Sequence, residues 1–129
     1  MSKIWQDLVG VPFKENGRDL NGLDCFGVPV IIYQRLGKTL PEVDYESVAR
    51  DVVNGKIEEN KDDYIILDKP EPFCMVTFFI KRPDVSHIGV VLEDCNRFIH
   101  VTKKSRVVID RLDSLSWCRR IDKFWRPKI

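Results

Sequence analysis

The second half of the chain restricts its fold most tightly. Phe73 to Ile80, His87 to Leu92, Arg97 to Thr102 and Val107 to Ile109 are short segments rich in β-branched and aromatic residues, the residue types that suit a pleated, half-buried surface. Turn-forming stretches separate them: Arg82-Pro83-Asp84, Glu93 to Asn96, and Lys103 to Ser105. Ile121 to Trp125 is one more candidate strand before Pro127. Short strands joined by short turns pair with their sequence neighbours, so this half predicts an antiparallel meander.

The first half has a different period. Ile4, Trp5 and Leu8 have helical spacing and predict a short opening helix, ended by Gly10 and Pro12. A polar loop with Gly17 and Gly22 follows over 13–22, then a helix from about Asp24 to Leu36, with Gly37 in the position of a C-terminal cap. Tyr45, Val48, Ala49 and Val52 mark a second helix, stopped by Asn54-Gly55, and residues 56–63 read as a solvated connection. Helices first and strands second predict an α+β fold, with N-terminal helices packed on a central antiparallel sheet of about five strands.

The 129 residues suit a single domain, 1–129, with a real core. Lys and Arg number 21 against 20 Asp and Glu, a balance that argues against bulk electrostatic binding to nucleic acid. No run approaches the length of a membrane span, so no membrane insertion is expected. The N-terminus lacks the pattern of a secretory signal, which predicts synthesis in a cytoplasm. The four cysteines never form C-x-x-C, so reduced thiols are expected and no metal site is.

Chemistry is suggested first by "GLDCFGVPVIIYQRLG", residues 22–37. Asp24 is a favoured N-cap type, which would set Cys25 in the first turn of a helix. There the partial positive charge and free N–H groups lower a thiol's pKa and can receive an oxyanion. The competing reading is that Cys25 is a small buried hydrophobe, and on this segment alone it is the stronger one. Pro29 adds a constraint. Behind a cap at Asp24 it would be the fifth helical residue, lacking an N–H and crowding the carbonyl of Cys25. The helix is therefore kinked there or begins later than Asp24.

Both histidines of the chain, His87 and His100, lie in the strand half. If Leu92 pairs with Arg97 across Glu93 to Asn96, Gly89 falls opposite His100. His87 and His100 then become diagonal neighbours on one face, with Cβ atoms roughly 7 Å apart or less. One imidazole would serve Cys25 as general base while the other orients it. Taken singly, each histidine is more often structural. Trp5, Trp117 and Trp125 read as packing, Cys74 as inert, and Cys118 as a weaker nucleophile candidate beside Arg119 and Arg120.

"GVPFKENGRDLNGLDCFGV", "LGKTLPE", "SHIGVVL" and "FIH" together resemble the NlpC-type cysteine peptidases of bacterial cell walls, over about Gly10 to Pro127. The G-R-D-x-x-G-x-D-C-x-G loop and the terminal "FWRP" are most similar to the phage-tail branch. The resemblance implies a papain-like core, with Cys25 as nucleophile, His87 as base and His100 as the residue orienting it. It also implies hydrolysis of an amide in the peptidoglycan stem peptide, with no metal or organic cofactor. Asp24 and Ser86 would line the substrate pocket, Asp24 facing an amine of the stem peptide or acting as the helix cap. Phe13 stands in that pocket where many relatives carry a tyrosine, whose hydroxyl it cannot replace. Phe26 replaces a common serine, and "EPFCMV" a common Gly-Asp strand start. The implied partners are phage tail-tip or hub proteins, and the implied location is a virion tail tip. The alternatives are a structural tail-tip component with little activity, or a related amidase or acyltransferase.

Overall fold

The computed structural model of the chain describes residues 3–38, 40, 64–81 and 84–127. The expected helix through Tyr45 and Val52 and the connection 56–63 lie outside the described residues. The opening helix is a single 3₁₀ turn, Gln6–Leu8. Two short strands, β1 (Arg18–Asp19) and β2 (Gly22–Leu23), form a small hairpin inside the expected polar loop. Helix α1 spans Gly27–Arg35. Then come β3 (Tyr64–Leu67), β4 (Met75–Lys81), β5 (Asp84–Val91), β6 (Arg97–His100), β7 (Val108–Arg111) and β8 (Ile121–Pro127).

These last six form one antiparallel sheet in the order β3-β8-β4-β5-β6-β7. The α+β class holds, with one strand more than the sequence pattern predicts. The extra strand is β3, whose residues Tyr64 to Leu67 follow directly on a charged run. The meander order is kept from β4 to β7, while the C-terminal strand β8 inserts between β3 and β4.

Side chains alternate across a strand, so the sheet has two apolar faces. On one face Val90, Leu92 and Ile99 pack with Val28 and Ile32 of α1, and Met75, Ile88 and Trp125 pack with Val30 and Tyr33. On the other, Val76, Phe78, Val91 and Phe98 gather with Leu112. Burying each such aliphatic side chain contributes about 1.5–3 kcal/mol.

Two features hold α1 in place. At its C-terminus Gly37 takes φ +80°, Gly37 N–H bonds the Gln34 carbonyl and Lys38 N–H bonds the Tyr33 carbonyl, which is the Schellman arrangement. At its other end, residues 10–13 run beside 105–107. Gly10 N–H donates to Val107, Val107 N–H to Val11 and Phe13 N–H to Ser105, while Leu23 N–H donates to Pro12. This strap ties the β1–β2 hairpin, and so the start of α1, to the β6–β7 connection.

Candidate active site

The glycines of the G-R-D-x-x-G-x-D-C-x-G segment permit a tight fold. A Cβ on Gly17 would collide with the Gly22 carbonyl, and a Cβ on Gly27 with the Gly17 carbonyl. Backbone therefore packs on backbone immediately around Cys25. Asp24 fixes the turn: its Oδ1 accepts from Phe26 N (3.1 Å), Gly27 N (2.7 Å) and Arg18 Nη1 (2.8 Å), and its Oδ2 from Asn16 N (2.9 Å). Asp24 is fully buried, with 0% exposure, which such complete pairing of a carboxylate makes tolerable.

The helix begins later than Asp24, as Pro29 requires. Gly27 is its first residue and Phe26 its N-cap position. Pro29 is then the third helical residue, where an N–H has no partner within the helix. The Asp24 carboxylate still serves the first amides that lack a helical partner, acting as a cap from two residues further back. Cys25 lies in the turn between β2 and α1 rather than in the helix itself.

Cys25 is only 4% exposed and packs among Phe26, Val30, Met75, Ile88 and Trp125. Burial, reinforced by the neighbouring Asp24 charge, pushes its thiol up to about 12; the Arg18 charge and the Ile88 backbone pull the other way. At neutral pH the sulfur is a thiol, lying against the strand residue that follows His87.

The paired register places the histidines together. Leu92 N–H bonds the Arg97 carbonyl, Val90 faces Ile99 and Val91 faces Phe98. His87 Nε2 lies 2.8 Å from His100 Nδ1. Beyond them His100 Nε2 lies 2.7 Å from Asp110 Oδ2 on β7. Trp117 stacks on His87 at 5.5 Å and meets His100 edge-on at 4.8 Å, while Phe78 and Phe98 flank the two rings. Burial, then the His100 charge, pushes His87 down to about 3. Burial also lowers His100, against the opposing pull of the Asp110 hydrogen bond and charge. Both rings are therefore neutral near pH 7, and the His100–Asp110 contact is a hydrogen bond to a carboxylate rather than an ion pair.

Among the described residues no hydrogen bond joins the Cys25 thiol to either imidazole. Phe13 is half-buried, bridged to Leu23 just ahead of the Cys25 turn. Ser86 lies on β5 directly before His87, placed by its backbone alone. Cys74 is buried and Cys118 exposed, and no disulfide forms among the described cysteines. Two members of the histidine cluster carry no motif in the sequence: Asp110 stands in a run with no signature, and Trp117 has the look of a packing residue alone.

A helix opening just after a cysteine turn, packed on an antiparallel sheet that carries hydrogen-bonded histidines, defines an α+β protein with a thiol and imidazole set. The NlpC/P60 family model matches residues 10–126, and the chain belongs to that family. Members are typically peptidoglycan hydrolases. The fold is similar to that of an NlpC/P60 family protein from Bacillus cereus ATCC 10987, at TM-score 0.67 and 20% identity over 91% of this chain and 35% of that one. It is similar also to a lipoprotein-like NLP/P60 family protein from Staphylococcus aureus subsp. aureus Mu50, at TM-score 0.64 and 22% identity over 95% of this chain and 39% of that one. A third similar structure is the NlpC/p60 domain of the peptidoglycan hydrolase SagA, at TM-score 0.61 and 16% identity over 92% of this chain and 89% of that one. The chain thus spans little more than a third of the first two proteins, and at these identities the likeness bears on fold alone. No curated protein matches the chain.

Proposed function

We propose that this chain is a cysteine endopeptidase of the peptidoglycan stem peptide that works at a phage or prophage tail tip. The observation that carries the reading is the His87–His100 pair, 2.8 Å apart, one residue along β5 from the Ile88 backbone that meets Cys25. Family membership supports the substrate class. The G-R-D loop and the "FWRP" terminus support the tail setting, with synthesis in a bacterial cytoplasm and assembly among tail-tip or hub proteins.

In this mechanism the Cys25 sulfur attacks the amide carbonyl as its proton passes to His87. A tetrahedral oxyanion forms, received by the backbone N–H of Cys25 itself, because Phe13 has no hydroxyl to offer and the Phe26 and Gly27 N–H groups already donate to Asp24. Collapse breaks the C–N bond, and His87 gives the proton to the departing amine. Water, deprotonated by His87, then releases the thioester as a carboxylate and returns the proton to sulfur. A thiol and an imidazole that are both neutral suit a general-base route, in which proton transfer accompanies attack. Ser86, next to the base along β5, is the residue assigned to the substrate pocket in this reading. Asp24 would meet a substrate amine only if its turn opened, since its oxygens are already engaged in the fold.

Reduced protein incubated with muropeptides should release fragments cut within the stem peptide, identified by mass spectrometry, and Cys25→Ala should abolish them. Intact muropeptides after incubation with folded, reduced protein would overturn the proposal. A second reading, a structural tail-tip component, is favoured by the 4% exposure of Cys25 and by Phe13. It predicts that phage carrying Cys25→Ala remain fully infective, and a related amidase or acyltransferase would instead process another acyl substrate.

A further inference from the structure

We infer that Asp110 is a positioning residue that sets the tautomer of both histidines and so leaves His87 Nδ1 as the proton acceptor. The inference rests on His87 being the base of the proposed reaction, but its logic is geometric. Three neighbouring strands carry the three groups. On β6 and β7 Phe98 faces Asp110 and His100 faces Val108, so Asp110 and His100 are diagonal neighbours on one face. His87 takes the matching diagonal place on β5.

An ionised carboxylate only accepts hydrogen bonds. The 2.7 Å contact with Asp110 Oδ2 therefore puts the His100 proton on Nε2. A neutral imidazole carries one N–H, so His100 Nδ1 is a bare lone pair. Across 2.8 Å it must accept the hydrogen bond that His87 Nε2–H donates. That leaves His87 Nδ1 unprotonated, ready to take a proton. Reversing any one bond reverses them all: a donor at position 110 would favour Nδ1–H on both rings, and His87 would then have no lone pair to offer on that side. Burial keeps both rings neutral, the condition on which the chain of assignments depends. Trp117, stacked on His87 and edge-on to His100, packs against both rings and restrains their planes. The Asp110 side chain is 39% exposed, so its replacement leaves no buried unpaired charge.

The test uses protein with ¹⁵N-labelled histidine, in which long-range ¹H–¹⁵N correlation reports the tautomer of each ring at neutral pH. In the wild type both rings should carry hydrogen on Nε2. In Asp110→Ala and Asp110→Asn, His87 should gain an Nδ1–H population, and Asp110→Glu, which keeps the carboxylate, should restore the wild-type pattern. On muropeptide substrate Asp110→Asn should lower kcat by about a hundredfold, within the range of a general base, with KM little changed. Wild-type His87 protonated on Nδ1, or a His87 tautomer identical in all four proteins, overturns the inference. The spectrum decides it even if no peptidoglycan is cleaved; that result would count against the proposed function alone.

Discussion

Asp24→Ala is the substitution that tests most directly what holds Cys25 in place. The carboxylate satisfies Phe26 N and Gly27 N, both buried, together with Asn16 N and the Arg18 guanidinium. Losing a cap costs about 1 kcal/mol. Each buried N–H left unpaired adds about 1–3 kcal/mol. Arg18 offsets part of this, because its side chain is 19% exposed and can turn toward water. The expected loss is about 4 kcal/mol, a large share of the 5–15 kcal/mol of an ordinary domain. Asp24→Asn keeps one acceptor oxygen but sets an N–H₂ against a donor, and should lose about 2 kcal/mol. Urea unfolding followed by circular dichroism would read these as midpoint shifts between about 0.7 and 4 M, given a slope of about 1–3 kcal/mol per molar. Removing the Asp24 charge also removes one of the influences that raise the Cys25 thiol. Asp24→Asn should therefore be less stable and yet alkylate faster at Cys25 under mildly alkaline conditions. A variant as stable as wild type would refute the cap argument and return Asp24 to a role in substrate contact.

Three further outcomes follow from the same geometry. Gly27→Ala should destabilise by about 3 kcal/mol, because its Cβ would strike the Gly17 carbonyl, an atom that cannot swing aside; an unchanged unfolding midpoint would contradict this. His87 titrates lower in the fold than in the open chain, so between the two values the unfolded state binds the extra proton. Stability should then be level above about pH 6.5 and fall on acidification, by up to about 1.4 kcal/mol per pH unit, with a shallower fall in His87→Phe. Iodoacetamide at neutral pH should modify exposed Cys118 well before Cys25, whose thiol is buried and raised; equal rates by peptide mass mapping would sink the picture of a closed, neutral thiol.

How far this was legible in the sequence depends on how local each signal was. The co-facial histidines could be read because one short turn links their strands: with Leu92 opposite Arg97, an even loop leaves only one facing. The shifted helix start could be read because proline tolerates only a few positions in a helix. Asp110 could not, since the β6–β7 connection has no hairpin signature and its register follows from strap residues 10–13, almost a hundred positions away. The same strap ties down the β2 end that leads into Cys25. Strand β3 was hidden for a similar reason, as its neighbour is β8 at the other end of the chain. Residue types thus named the thiol and the imidazoles, while long-range pairing decided which carboxylate stands behind them. That division locates the useful experiment: replacing Cys25 asks whether there is chemistry, but replacing Asp110 asks how the imidazoles are prepared for it.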